Sequence, residues 1–203
     1  MYDEGDTLLN IYNECVKAGS PDLPIIFTST SKITFPGAGV AVEAASPNNV
    51  ALLKGRMKYQ TIGPDKLNQL RHARMFRTVS DIERHMKRHA AILRPKFETV
   101  EKELQKQLGD TGVAHWTTPK GGYFISLYVL EGCAKRVEQL CANAGMILTP
   151  AGATYPYGID PKDSNIRIAP SYPSVEEIEK ASEVLALAVR YAALEKLLSD
   201  KEN

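Results

Sequence analysis

Ile25-Ile26-Phe27-Thr28, then Ser29-Thr30-Ser31-Lys32, then Phe35-Pro36-Gly37 is the stretch from which the rest of the chain can be read. The first run is short, apolar and β-branched, and Pro21 and Pro24 bound it. It predicts a buried strand. Lys32 then falls where strand gives way to loop. A core holds an unpaired ammonium only at high cost, so a lysine here needs a partner or a task. One task fits, that of an amine condensing with an aldehyde. Such an amine must lose its proton well below its free pKa of about 10.4. A low dielectric or a neighbouring cation achieves that. The hydroxyls of Ser29 and Ser31 lie beside it and could donate to a phosphate. The competing reading is a loop lysine with a solvated tip.

Composition narrows the classes around that stretch. The 203 residues allow one domain or two small ones. A net charge of +1 points to no nucleic-acid or anionic-membrane partner, and no apolar run approaches a membrane span. Met1 to Asn10 is acidic and polar, which predicts no secretory leader. Cys15, Cys133 and Cys141 are odd in number and lack metal-type spacing. Three free thiols in a reducing cytoplasm are expected.

Outward from the lysine, periodicity predicts alternating elements. Asp6-Thr7 caps a first helix carrying Leu8, Ile11, Tyr12 and Cys15, and Gly19 stops it. Val40 to Ala45 reads as a strand in which Glu43 marks an edge or a polar face. Asn48 to Met57 and Asp65 to Met75 read as helices, separated by Gly63-Pro64. Ser80-Asp81-Ile82-Glu83 has the form of a capping box. It opens a long amphipathic helix through Ile82, Met86, Leu93, Phe97, Val100, Leu104 and Leu108. Pro95 within it predicts a kink. Then come strands over Val113 to Trp116 and Tyr123 to Tyr128, around the turn Pro119-Lys120-Gly121-Gly122. Gly132 to Ala144 reads as a helix, Met146 to Leu148 as a short strand, and Pro150 to Asp163 as a loop. Asn165 to Ile168 is a last strand. Pro173-Ser174-Val175-Glu176-Glu177 opens the final helix with a second capping box. The boundary between two domains is placed near Thr78, giving 1–78 and 79–203, the second an α+β layer.

Ser-x-Ser-Lys followed by Pro-Gly resembles the cofactor-lysine segment of fold-type I pyridoxal-phosphate enzymes. Ile25 to Ala45, with Ile166-Arg167-Ile168 downstream, is most similar to a bacterial aspartate-aminotransferase branch of the class I/II aminotransferases. The resemblance covers nearly the whole chain, yet only the later half of such an enzyme. It implies an α/β fold, with the end of a PLP-transferase-like large domain followed by a small α+β C-terminal domain. It implies pyridoxal 5'-phosphate as cofactor, amino-acid and 2-oxo-acid substrates, plausibly aspartate, a homodimer, and no metal. Lys32 would carry the cofactor and shuttle a proton, Ser29 and Ser31 would hold its phosphate, and Arg167 would bind the substrate α-carboxylate. The planar fork of Arg167 suits such a grip. Its competing reading is an edge-strand arginine paired with a local acid such as Asp163. Many relatives carry a phosphate-pairing arginine seven or eight residues after the lysine. Gly39 and Val40 stand there, so that charge must be met by backbone donors or an upstream residue.

Other groups carry less. Gly121-Gly122-Tyr123-Phe124 and Thr149-Pro150-Ala151-Gly152 resemble small-domain landmarks, structural by default. Tyr155 and Tyr157 are candidates for lid contacts, with packing or an exposed position as the competing reading. His85 and His89 have metal-compatible spacing but no acid at ligand spacing, and read as a solvated face. His72, His115 and Trp116 suggest packing alone, and Arg71, Arg74 and Arg77 a helix face or subunit surface. The acidic partner of the cofactor ring and its stacking group would lie upstream of Met1. The 203-residue piece alone is therefore expected to be inactive. Two other uses of the same scaffold stay open: lyase chemistry at the amino-acid α-carbon, and the aminotransferase-like effector domain of a transcription regulator.

Overall fold

Short polar side chains start most of the helices, and they mark the ends more sharply than the apolar stripes do. The computed structural model describes residues 5–202. The first four residues of the acidic start, read above for a leader, lie outside them. In chain order the elements are α1 (Ile11–Lys17), β1 (Ile25–Ser29), β2 (Ala41–Ala45), α2 (Pro47–Met57), α3 (Lys66–Met75), α4 (Val79–Leu108), β3 (Ala114–Trp116), β4 (Ile125–Val129), α5 (Ala134–Asn143), β5 (Asn165–Ile168) and α6 (Val175–Glu202). Ser46 caps α2 with Pro47 as its first residue, and Asp65 caps α3.

The capping box of α6 is as the sequence predicts. Ser174 Oγ accepts from Glu177 N–H at 3.2 Å, and the Glu177 carboxylate accepts from Ser174 N–H at 2.8 Å. Two other helix starts are corrected. Asn10, not Asp6-Thr7, caps α1, so Leu8 precedes the helix and is 86% exposed. The box at α4 is Thr78 with Asp81, two residues before the predicted Ser80 with Glu83. Thr78 Oγ1 accepts from Asp81 N–H, and Asp81 Oδ2 accepts from Thr78 N–H at 3.0 Å. Asp81 also takes the Arg77 N–H, so one carboxylate closes two donors that Glu83 would leave open.

The described residues form two compact units, Asp6–His89 and a second from Ala90 to Glu202 that includes Gly5, and the division falls inside α4. In the first unit β1 and β2 form an antiparallel ribbon, with Ile25 opposite Ala45 and Ser29 opposite Ala41. The strand over Ile25 to Thr28 is present, but its predicted burial is not. Ile25 is 42% and Phe27 71% exposed. A two-stranded ribbon has no interior strand, so each face is buried only by what lies against it.

The second unit has an antiparallel sheet in the order β3-β4-β5. Along β4, Ile125, Leu127 and Val129 alternate inward. They share one core with Phe97, Val100, Leu104 and Leu108 of α4, Val137 and Cys141 of α5, Ile166 and Ile168 of β5, and Leu185 and Val189 of α6. α4 continues through Pro95 as one helix. The predicted strand at Met146 to Leu148 is absent. Met146 N–H instead donates to Cys141 C=O and closes the end of α5, and no neighbouring strand offers these residues a ladder. Among the described residues no helix is long and apolar enough to cross a membrane.

Candidate active site

In the first unit, the chain between β1 and β2 makes two consecutive turns. Thr34 N–H donates to Thr30 C=O at 2.8 Å, which coils Thr30 to Thr34 into one helical turn around Lys32. Pro36-Gly37 then forms the centre of a β-turn closed by Ala38 N–H to Phe35 C=O at 3.1 Å. Gly37 has φ +75°, which the third position of a type II turn requires. The returning strand is pinned to the first. Thr30 N–H donates to Val40 C=O, and Val40 N–H donates to Thr30 Oγ1, both at 2.9 Å. Gly39 lies flat on the turn, where a Cβ would stand 2.8 Å from Ser31 Cα and 2.9 Å from Ser31 N. Position 39 is thus occupied by a backbone that must be bare.

The outer side of the turn presents the chemistry. Lys32, Ser29 and Ser31 are exposed, and Ser29 Oγ lies 2.8 Å from Ser31 Oγ. An exposed lysine adjoining in sequence a pair of neighbouring serine hydroxyls is a residue set that fits a phosphate-bearing aldehyde. The inner side is tied down. His72 on α3 places Nε2 at 2.8 Å from Thr34 Oγ1 and 3.1 Å from Thr30 Oγ1. Its Nδ1 donates to Asn68 C=O at 2.9 Å. Asn68 is buried and donates its amide to Gly39 C=O at 3.2 Å. Phe35 meets the His72 ring edge-on at 5.2 Å, and Arg71 lies over Phe35 at 5.7 Å. The reading of His72 as packing alone is thus corrected. Its partners lie 38 and 42 residues away, a separation that no local spacing rule detects.

Arg167 stands in the second unit on β5, opposite Ser126 of β4. Its guanidinium carbon sits 4.5 Å over the Phe124 ring. Its Nε is buried with no hydrogen-bond partner among the described residues. Asp163, the local acid named above, instead accepts from Lys135 N–H. Arg167 lines a mainly apolar cleft of about 180 Å3 with Ile147, Thr149, Pro170 and Ile178. The Gly121-Gly122-Tyr123-Phe124 segment therefore delivers the ring under the arginine, and Thr149-Pro150-Ala151-Gly152 borders the cleft. Gly152, at φ +86°, lies where a Cβ would run into Gly158 C=O. The N–H of Ala151 is taken by Glu138 at 2.8 Å.

His85 and His89 rings lie 4.4 Å apart, and no cluster of metal-ligand type occurs among the described residues. Burial, with the His85 and Arg88 charges, holds the His89 imidazole below its usual range. Tyr157 is 99% exposed. Cys15, Cys133 and Cys141 are free thiols.

Comparison with known proteins agrees with this architecture. The family model described as aspartate amino-transferase matches residues 1–201. A protein of Mycolicibacterium smegmatis is 45% identical over 99% of this chain and 47% of its own. The aspartate aminotransferase of Corynebacterium glutamicum is 46% identical over 96% of this chain and 45% of its own. The crystal structure of an aspartate transaminase from that organism superposes with a TM-score of 0.91 at 45% identity, covering 96% of this chain and 46% of that one. The chain thus spans about half the length of the relatives it matches.

Proposed function

This chain belongs to the aspartate amino-transferase family, and from that premise we propose that it works as part of a pyridoxal-phosphate-dependent aminotransferase. The observation that carries the reading is the Lys32 turn, in which an exposed lysine directly follows a serine pair whose hydroxyls lie 2.8 Å apart. Residues 1–78 are read as the end of the large cofactor domain and 79–203 as the small domain. The reaction moves an amino group between an amino acid, aspartate by analogy with the relatives' names, and a 2-oxo acid. When bound, pyridoxal phosphate supplies an electron sink for bond breaking at the substrate α-carbon. Lys32 Nζ would hold the cofactor and would carry the proton at the substrate α-carbon. Ser29 and Ser31 Oγ donate to the phosphate. The fork of Arg167 takes the α-carboxylate in two parallel bonds, and the orphaned Nε and the ring beneath it support that role.

The complete enzyme is read as a cytoplasmic homodimer of a longer chain, and the 203 residues alone as inactive. The test is a coupled assay of the full protein with a panel of amino donors and 2-oxo acids. Aspartate as the preferred donor, with turnover lost in Lys32→Ala, supports the reading. Lyase products, or turnover untouched by Lys32→Ala, overturn it. Sustained transamination by the isolated chain overturns the expectation of a partial unit.

A further inference from the structure

We propose that His72 is a positioning residue for Lys32, acting through the two threonines that flank the lysine. Asn68 C=O can only accept, so the proton bonded to it sits on His72 Nδ1. In the neutral ring Nε2 is then an acceptor, and the nearer hydroxyl, Thr34 Oγ1 at 2.8 Å, can donate to it in place of Thr30 C=O, 3.1 Å away. Thr30 Oγ1 accepts from Val40 N–H and lies 3.1 Å from both Thr34 Oγ1 and the same nitrogen; the single lone pair of Nε2 takes one hydroxyl, and the other hydroxyl bonds to the first. Thr30 and Thr34 are the first and last residues of the single turn that carries Lys32.

One ring nitrogen therefore lies within 3.1 Å of a hydroxyl at each end of that turn, and Val40 links the turn to the returning strand. Thr34 is buried, while Lys32 and Ser31 are exposed. The clamp grips the side of the turn opposite the two exposed residues. The ring is itself fixed, by its bond to α3, by Phe35 at 5.2 Å and by Phe76 at 6.4 Å. A single turn closed by its own backbone bonds is marginal in isolation. A side chain that acts must be held by groups that do not, and here the holding group comes from another helix.

This inference rests on Lys32 being the cofactor lysine, and the test separates the two. His72→Leu removes the acceptor, and His72→Gln restores one at similar reach. In cofactor-free protein, hydrogen exchange is read at the amides of Thr34 and Val40. In loaded protein, pyridoxal phosphate affinity and the pH midpoint of the visible band of the lysine-bound cofactor are read. His72→Leu is expected to speed exchange at both amides at least tenfold, weaken the affinity at least tenfold, and move the midpoint by half a pH unit or more. His72→Gln is expected to restore each to within threefold, or 0.2 pH unit. Thr34→Val, which keeps the ring, gives the same loosening and serves if His72→Leu fails to fold. Exchange and midpoint unchanged in His72→Leu or Thr34→Val overturn the proposal. A parent protein that binds no pyridoxal phosphate overturns the function proposed above, while exchange at Thr34 and Val40 still decides the role of His72.

Discussion

Replacing Gly39 with alanine places one methyl group against the backbone that carries Lys32. The new Cβ would stand 2.8 Å from Ser31 Cα and 2.9 Å from its Cβ and N, where relaxed contacts begin near 3.4 Å. None of these atoms is the end of a flexible side chain. Gly39 also cannot retreat freely, because its carbonyl is bonded to Asn68 and the next residue is bonded twice to Thr30. The strain must therefore appear as a shift of the Ser31-Lys32 turn. Overpacking of this kind costs about 1–3 kcal/mol. If it falls wholly on the cofactor-competent geometry, pyridoxal phosphate binds about 5- to 150-fold more weakly. The assay is titration of the full protein with pyridoxal phosphate, followed by visible absorbance. Gly55→Ala is the control: it lies in α2, with nothing within 4 Å of an added Cβ. It should leave affinity unchanged and stabilise by about 0.5–1 kcal/mol through helix propensity. Affinity within twofold of the parent in Gly39→Ala would refute the steric reasoning.

Three further outcomes follow from the second unit. Phe97 is fully buried in the core, so Phe97→Ala should cost about 3–5 kcal/mol in urea unfolding. Burial pushes the Asp160 carboxyl up, but N–H bonds from Ser164, Lys162 and Asn165 outweigh it and hold the group below its ordinary value of 3.8. A lowered folded value means the contribution is present in full above pH 3.8 and fades as pH falls through the folded value. Asp160→Asn should cost about 1–2 kcal/mol at pH 7, and its difference from the parent should shrink in unfolding measured below pH 3. Burial pushes the Cys141 thiol up to about 11, so iodoacetamide at pH 8 should label Cys15 before Cys141 in the native state.

The sequence carried the elements of the second unit further than those of the first, for a physical reason. β4 and β5 bury their side chains against helices of the same unit, so alternation and stripe agree. The apolar run of β1 says what such a strand would bury, not what covers it, and Phe27 is open. Caps were legible where one hydroxyl and one carboxylate were in register, as at Ser174 and Glu177. At α4 two overlapping candidates competed, and backbone geometry chose Thr78 with Asp81. Lys32, Ser29, Ser31 and Arg167 were named from local motifs; the fold sets the Ser29 and Ser31 hydroxyls 2.8 Å apart and puts Arg167 on β5. His72 and Asn68 were not legible, since each acts on residues 29 or more positions away through the fold of α3 against the turn.

The central claim is that Lys32 is the amine that captures the cofactor. The direct measurement is to load the full protein with pyridoxal phosphate, reduce it with borohydride, and map the modified peptide by mass spectrometry. One phosphopyridoxyl group per chain on Lys32, absent from Lys32→Ala, is the predicted result. Label spread over surface lysines such as Lys58 and Lys120, with none enriched at Lys32, would contradict it.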